Sequence, residues 1–344
     1  MKHNYSIDFY PDKIHLHLNE NLFGPSPKVM DELNLWRRED VFHYPPNDDA
    51  YLKNEVAQYW NLPPESIFTG NGGVSILRRM GNILPTSGYY FTPTWDYYKH
   101  LIEMRKGTLQ ALPFINNGKE FLYPTFPPIS QEKANFIIIC SPNNPTGQRV
   151  PRDYLEKLLE EYPNTYIIVD EVYEDFTPTD SLVPLVLKYR NLCLIRSFSK
   201  FYALAGLRIG VGLAHPDLVN QLRPYRQPFG LPLPIQKAAI IALKDKSHNQ
   251  LVQSTLKASK ETLLEFIRSQ NIPLKPYHTD THFLLIETQH NQSDLWKELL
   301  LKEGFAVKSC HWEGQKSYIR VTIPPMDILL KFCQALKNCL SSIT

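Results

Sequence analysis

Three short runs constrain this chain more than any other feature: NFIIIC (135–140), TYIIVD (165–170) and NLCLIR (191–196). Each is aliphatic or β-branched almost throughout and lacks the alternation of a strand with one wet face. Each therefore reads as a strand buried on both sides. Between the first two lies VPRDYLEKLLEEYPN, in which Pro151 suits a first helical turn and Leu155, Leu158, Leu159 and Tyr162 recur at helical spacing. Strand, helix and strand at this distance make a βαβ unit, hence a mostly parallel sheet with helices on its faces.

Beyond the Pro/Gly break PFGLPLP (228–234) the pattern changes. Amphipathic helical patterns fill 236–269, HFLLIE (282–287) and YIRVTI (318–323) read as strands, a helix falls around 293–303, and the tail aligns Leu329, Leu330, Cys333, Leu336 and Leu340 on one helical stripe. The fold class expected is α/β: a large domain with a mostly parallel central sheet flanked by helices, plus a smaller α+β domain. The expected division is an N-terminal arm (1–40) partly joining the small domain, a large domain (41–228) and a small C-terminal domain (229–344).

Composition sets outer bounds. With 344 residues, 43% of them hydrophobic, the chain has material for about two domains with real cores. A net charge of +2 and mixed signs along the chain argue against nucleic acid or anionic lipid as partner. Five cysteines, widely spaced and without a C-x-x-C pair, predict neither a disulfide framework nor a metal site. The N-terminus is broken by charge, and no apolar run reaches membrane-spanning length. The compartment expected is the cytoplasm.

Each apolar run ends in polar residues: Ser141 to Thr146, Asp170 to Tyr173, and Ser197 to Lys200. In open α/β sheets, ligands bind at the C-terminal edge of the strands, so the three clusters would meet there. Lys200 lies in IRSFSKFYALAGLRIG (195–210). Such a lysine is either a solvated strand-end residue or an amine whose nitrogen is wanted as a nucleophile. Asp170 either caps a following helix or faces a cation. Asn143-Asn144-Pro145 before Gly147 reads as a turn. FTGNGGV (68–74), ahead of a helix-like stretch, is either a plain loop or a set of backbone donors for phosphate.

Taken together, SPNNPTG, VDEVY and SFSKFYALAGLRIG resemble the signature set of the fold-type I, pyridoxal-phosphate-dependent aminotransferases. With LNENLFGPSP near the start, the sequence is most similar to the histidinol-phosphate aminotransferase branch. The resemblance implies that Lys200 is the covalent attachment point of the cofactor and its proton carrier. It implies that Asp170 partners the pyridine nitrogen and that Tyr173 and Asn144 hold the phenolic oxygen. Ser197, Ser199, Arg208 and the backbone of Gly73 and Val74 would hold the phosphate, with Trp95 stacked on the ring. Arg320, Asn21 and Lys308 fall to the substrate. Tyr44 would reach the neighbouring subunit's cofactor, so a homodimer with shared sites is implied. The reaction implied moves an amino group from an L-amino acid or histidinol-phosphate-like amine to a 2-oxo acid such as 2-oxoglutarate.

Departures from the pattern cluster on the substrate side. Lys308 stands where the branch usually has arginine, Leu22 replaces a proline, His282 an asparagine, and TIPP follows the last strand-like run in place of glycine. Val74 and Ser75 replace two acidic residues. A decarboxylase of the threonine-phosphate type would share Lys200 and Asp170. A retired enzyme would have lost them. No G-x-G-x-x-G sits between a strand and a helix, which speaks against a dinucleotide oxidoreductase.

Overall fold

The computed structural model describes residues 8–45, 47–126, 135–177, 181–312, 316–340 and 342. In chain order the strands of its largest sheet are β1 (Ile67–Gly70), β2 (Ser87–Thr92), β3 (Thr108–Pro113), β4 (Phe136–Cys140), β5 (Tyr166–Asp170), β6 (Leu192–Ser197) and β7 (Gly210–Ala214). They lie side by side as β1-β7-β6-β5-β4-β2-β3. The three apolar runs are β4, β5 and β6 at the centre. β3, β2, β4, β5 and β6 are parallel, while β7 runs antiparallel to both neighbours. Every residue of β4 and β6 is buried.

Because both faces of these strands are apolar, a slip by one residue would still bury apolar groups, and pattern alone cannot pin the register. The polar ends pin it. Cys140, Asp170 and Ile195 are paired across β4, β5 and β6, so the three polar tails leave the sheet at one level. Helices α1 (Gly73–Gly81), α2 (Tyr97–Met104) and α3 (Arg152–Glu161) follow β1, β2 and β4. Helix α3 buries Leu155, Leu158 and Leu159, the stripe read from the sequence.

The strand β7 was not legible in GLRIGVG. Gly210 pairs with Ser197, so the chain leaves β6, loops above the sheet edge and returns beside its own departure point. Phe198 N–H bonds to the Ile209 carbonyl at 3.1 Å and closes the loop at its neck. Glycine is required here. A Cβ on Gly212 would lie 2.1 Å from the Phe68 ring, and one on Gly210 would lie 2.4 Å from the carbonyl carbon of Gly72.

Asn21–Ser254 together with His278–His282 form the larger of two compact units; residues 8–20, 255–277 and 283–340 belong to the smaller. The 228–234 break therefore lies inside the larger unit, not at its border. The buried carboxylate of Asp49 holds it there, accepting from Leu231 N–H at 2.8 Å and Gln236 Nε2 at 3.1 Å. Two helices follow the break, α4 (Leu233–Lys244) and α5 (Lys246–Ser269).

The smaller unit has an antiparallel sheet of β8 (Leu274–Pro276), β9 (Phe283–Thr288), β10 (Lys308–Cys310) and β11 (Tyr318–Thr322), ordered β8-β9-β11-β10. Its helices are α6 (Ser293–Lys302) and α7 (Met326–Leu340). Ile14 and His15 pair with Phe305 and Ala306, which ties the start of the chain to this unit. Among the described residues no helix is long and apolar enough to cross a membrane, and no three His, Cys, Asp or Glu side chains converge as a metal site.

Candidate active site

Asp170 ends β5 and is 2% exposed. Its Oδ2 accepts a hydrogen bond from the Tyr98 hydroxyl at 2.7 Å, while its Oδ1 is buried with no hydrogen-bond partner. Burial pushes this carboxyl up to about 6, against the Tyr98 hydroxyl, the Val172 amide and the Lys200 charge, which all pull it down. The carboxylate therefore keeps one oxygen, Oδ1, open to a further partner.

Three residues on, the Tyr173 hydroxyl is 3.4 Å from Asn144 Nδ2, and Lys200 Nζ lies 6.0 Å from the Tyr173 ring centroid. Asp170, Tyr173, Asn144 and Lys200 thus come from three separate strand ends to one place. The loop between β6 and β7 supplies an anion cradle. Ser197 Oγ accepts from the Ser199 amide at 3.1 Å, and Arg208 Nη1 donates to Ser199 Oγ at 3.3 Å. Arg208 adopts a left-handed backbone conformation (φ 53°). Its guanidinium packs so closely on Gly72 that a Cβ there would sit 2.6 Å from Nη2. Helix α1 begins at Gly73 and Val74 with no side-chain cap and no acidic residue in its first turn. An anion is what such an end, beside an arginine and two hydroxyls, is suited to hold.

Trp95 is half-buried; Tyr97 stacks on it with centroids 5.0 Å apart, and Tyr98 meets it edge-on at 5.5 Å. Asn21 Nδ2 donates to the Phe201 carbonyl at 2.6 Å, one residue past Lys200. Tyr44 is 74% exposed and stacks on Phe229 with ring centroids 3.9 Å apart. In the smaller unit Arg320, 9% exposed, donates to the His17 carbonyl and pairs across the sheet with the exposed Lys308. Residues directly opposite on antiparallel strands share a face, so the two cations lie on the same side of that sheet.

Several residues around this site escaped sequence reasoning. Tyr98, beside Trp95, carries no role in the sequence reading, yet its hydroxyl donates to Asp170. Asn143, 1% exposed, accepts from Thr94 Oγ1 at 2.7 Å and donates to the Pro93 carbonyl at 2.9 Å, fastening the Trp95 turn to the loop after β4. Arg196, 3% exposed, bonds to Glu171 at 2.9 Å and Asp175 at 3.1 Å, while Arg149 pairs with Glu174. Burial works against the Arg196 charge, but Glu171, Asp175 and Glu174 outweigh it and hold the guanidinium charged. Burial also pushes Glu171 up to about 8. His282 lies flat on Phe176, centroids 3.9 Å apart, and 5.8 Å from Tyr173, filling the space behind that ring. The one available signal was adjacency: Glu171, Arg196 and Tyr98 each lie within three residues of a residue already singled out.

The orphaned, buried Oδ1 of Asp170 and the anion cradle of Gly72, Ser199 and Arg208 fit a flat cationic ring carrying a phosphate. Fold and constellation together define the class: pyridoxal-phosphate-dependent aminotransferases of fold type I. The family described as aminotransferase class I and II matches residues 11–336, and the chain belongs to it. It is 30% identical over 338 residues to a histidinol-phosphate aminotransferase of Moorella thermoacetica, covering 96% of this chain and 86% of that one. In fold it is similar to histidinol-phosphate aminotransferase from Sinorhizobium meliloti in complex with pyridoxal-5'-phosphate (TM-score 0.85, 20% identity, covering 98% and 96% of the two chains). It is also similar in fold to L-threonine-O-3-phosphate decarboxylase from Porphyromonas gingivalis (TM-score 0.81, 20% identity, covering 95% and 99%).

Proposed function

We propose that this aminotransferase takes the amino group of an L-amino acid or a histidinol-phosphate-like amine and passes it to 2-oxoglutarate, working in the cytoplasm as a homodimer. The observation that carries the reading is the meeting of Lys200, Asp170, Tyr173 and Asn144 at one sheet edge, with Asp170 Oδ1 left without a partner. Pyridoxal phosphate supplies, when bound, a carbonyl that exchanges with amines and a ring that draws electrons from the substrate's Cα.

The chain's residues do the rest. Asp170 keeps a proton on the ring nitrogen, because a buried carboxylate is stable only opposite a cation. Asn144 and Tyr173 hold the ring oxygen, and the face of Trp95 fixes the ring plane. Ser197, Ser199, Arg208 and the amides of Gly73 and Val74 take the phosphate dianion. Lys200 would be the attachment point for the cofactor's carbonyl carbon, and its amine would be the group that takes a proton from the substrate's Cα. Arg320, Lys308 and Asn21 receive the polar and anionic groups of the substrate, and Tyr44 reaches into a second copy. A lysine cannot grip phosphate bidentately as arginine does, so Lys308 favours a smaller or singly anchored anion.

The test is optical and chemical. Purified protein, loaded with pyridoxal phosphate, should be yellow, and borohydride should fix the cofactor on Lys200 in the native chain and nowhere in Lys200→Ala. Amino donors are then screened for glutamate formed from 2-oxoglutarate. A chain that stays colourless with added cofactor, or an adduct on another lysine, refutes the reading. Carbon dioxide release without need of an oxo acid would replace amino transfer by decarboxylation.

A further inference from the structure

Tyr98 is 1% exposed, and a tyrosine that deep requires a partner for its hydroxyl. The partner is Asp170 Oδ2 at 2.7 Å. Burial raises the phenol well above its usual range, so the hydroxyl stays neutral and acts as a donor. The same ring meets Trp95 edge-on, at 5.5 Å and 83°. One side chain, on the second residue of α2, therefore braces two groups that the proposed function places against the cofactor ring, from its edge and from its face.

We propose that Tyr98 is a positioning residue for the reaction: its hydroxyl occupies one oxygen of Asp170, turns the other toward the ring nitrogen, and holds Trp95 in the matching plane. The proposal rests on the reading of Asp170 as partner of that nitrogen. The bond makes the two carboxylate oxygens inequivalent. Oδ2 is satisfied from within the protein, and Oδ1 faces the only role left. The other titratable groups around Asp170 are Lys200 from the β6–β7 loop, Cys140 on β4 and Cys193 on β6; burial raises both thiols, which leaves them neutral. Tyr98 and Lys200 are thus the side chains that set its charge.

The experiment follows the Asp170 carboxyl by carbon-13 NMR in the full chain, assigned by its disappearance in Asp170→Asn. In Tyr98→Phe the midpoint, about 6 in the native chain, should rise by roughly one pH unit or more, the value of a lost hydrogen bond to a charged acceptor. Affinity for pyridoxal phosphate should fall roughly tenfold on the same scale. With 3-fluorotyrosine at position 98, a stronger donor of nearly the same shape, the midpoint should move down. Opposite signs in the two variants exclude a merely structural role. An unchanged midpoint in both overturns the proposal; should Tyr98→Phe fail to fold, the fluorotyrosine arm decides alone. If Asp170→Asn binds the cofactor with native affinity and absorption spectrum, the reading of Asp170 itself is wrong. That outcome is distinct from a Tyr98 without effect.

Discussion

Replacing Asp170 by asparagine should make the cofactor-free chain more stable at neutral pH while weakening cofactor binding. The carboxyl is fully buried and titrates at about 6, against 3.8 for an ordinary aspartate. A folded pKa above the unfolded one means that the contribution to stability is complete below about pH 4 and lost as pH rises through 6. A rise of that size corresponds to about 3 kcal/mol of lost stability at pH 8. The asparagine removes this loss but brings a buried Nδ2 without an acceptor, which costs about 1 kcal/mol. The variant should therefore lead by about 2 kcal/mol at pH 8 and trail by about 1 kcal/mol at pH 4. Urea unfolding of both proteins between pH 4 and 8.5 measures the gap, which should open between pH 4 and 6 and stay flat above. Saturating pyridoxal phosphate should reverse the order at pH 8, because only the aspartate gains a cation. A gap that is independent of pH, or a native chain that is the more stable at pH 8 without cofactor, refutes the reasoning.

Arg196→Met should cost about 3–5 kcal/mol in urea unfolding, since it leaves Glu171 and Asp175 facing each other with their shared cation gone. Glu171→Gln should cost less, about 1–3 kcal/mol, because Arg196 keeps Asp175 and the amide oxygen can still accept from its guanidinium. Gly210→Ala drives a Cβ into the Gly72 backbone, and cofactor affinity measured by reconstitution should fall by tenfold or more on the order of a steric cost of 1–3 kcal/mol. Lys308→Arg restores a planar fork beside Arg320 and should lower KM for a phosphorylated amine roughly tenfold with kcat unchanged. No change in either KM or kcat would mean that position 308 does not touch the substrate.

How much of this could be read from the chain depended on where each interaction lay along it. The three central strands were legible because burial on both faces writes itself as an unbroken apolar run. Helix α3 was legible because its buried stripe is periodic. The strand β7 was hidden because two glycines, needed so that its backbone can lie against Gly72 and Phe68, erase the apolar signature. The break at 228–234 read as a border since Pro and Gly interrupt pattern. It is held inside the larger unit by a contact from Asp49, some 180 positions away in the chain, and no local rule sees that distance. The cofactor-side residues were legible as motifs, but Tyr98 was not, because its partner Asp170 comes from a strand 72 positions later.

The uneven fidelity of the motif residues to the family pattern follows their burial. Asp170, Asn144, Ser197 and Lys200 stand at or just beyond strand ends whose level is set by a shared register. Moving any one of them would draw a polar end into the packed sheet or push an apolar residue out of it, at about 1.5–3 kcal/mol for each apolar side chain unburied. Geometry that is tied to the core in this way resists drift. Lys308 lies instead on β10, a short strand at the edge of the smaller unit's sheet, and is exposed. Replacing an arginine there disturbs no packing, so a change at that position carries little unfolding risk. The same logic extends to His282, a departure that is buried: it had to be matched by a flat partner, and Phe176 at 3.9 Å supplies it. Restoring asparagine at 282 alone should therefore leave a void beside Tyr173 and cost stability, by about 1–3 kcal/mol, whereas Lys308→Arg should cost almost none. Equal costs at the two positions would show that the departures were not sorted by burial.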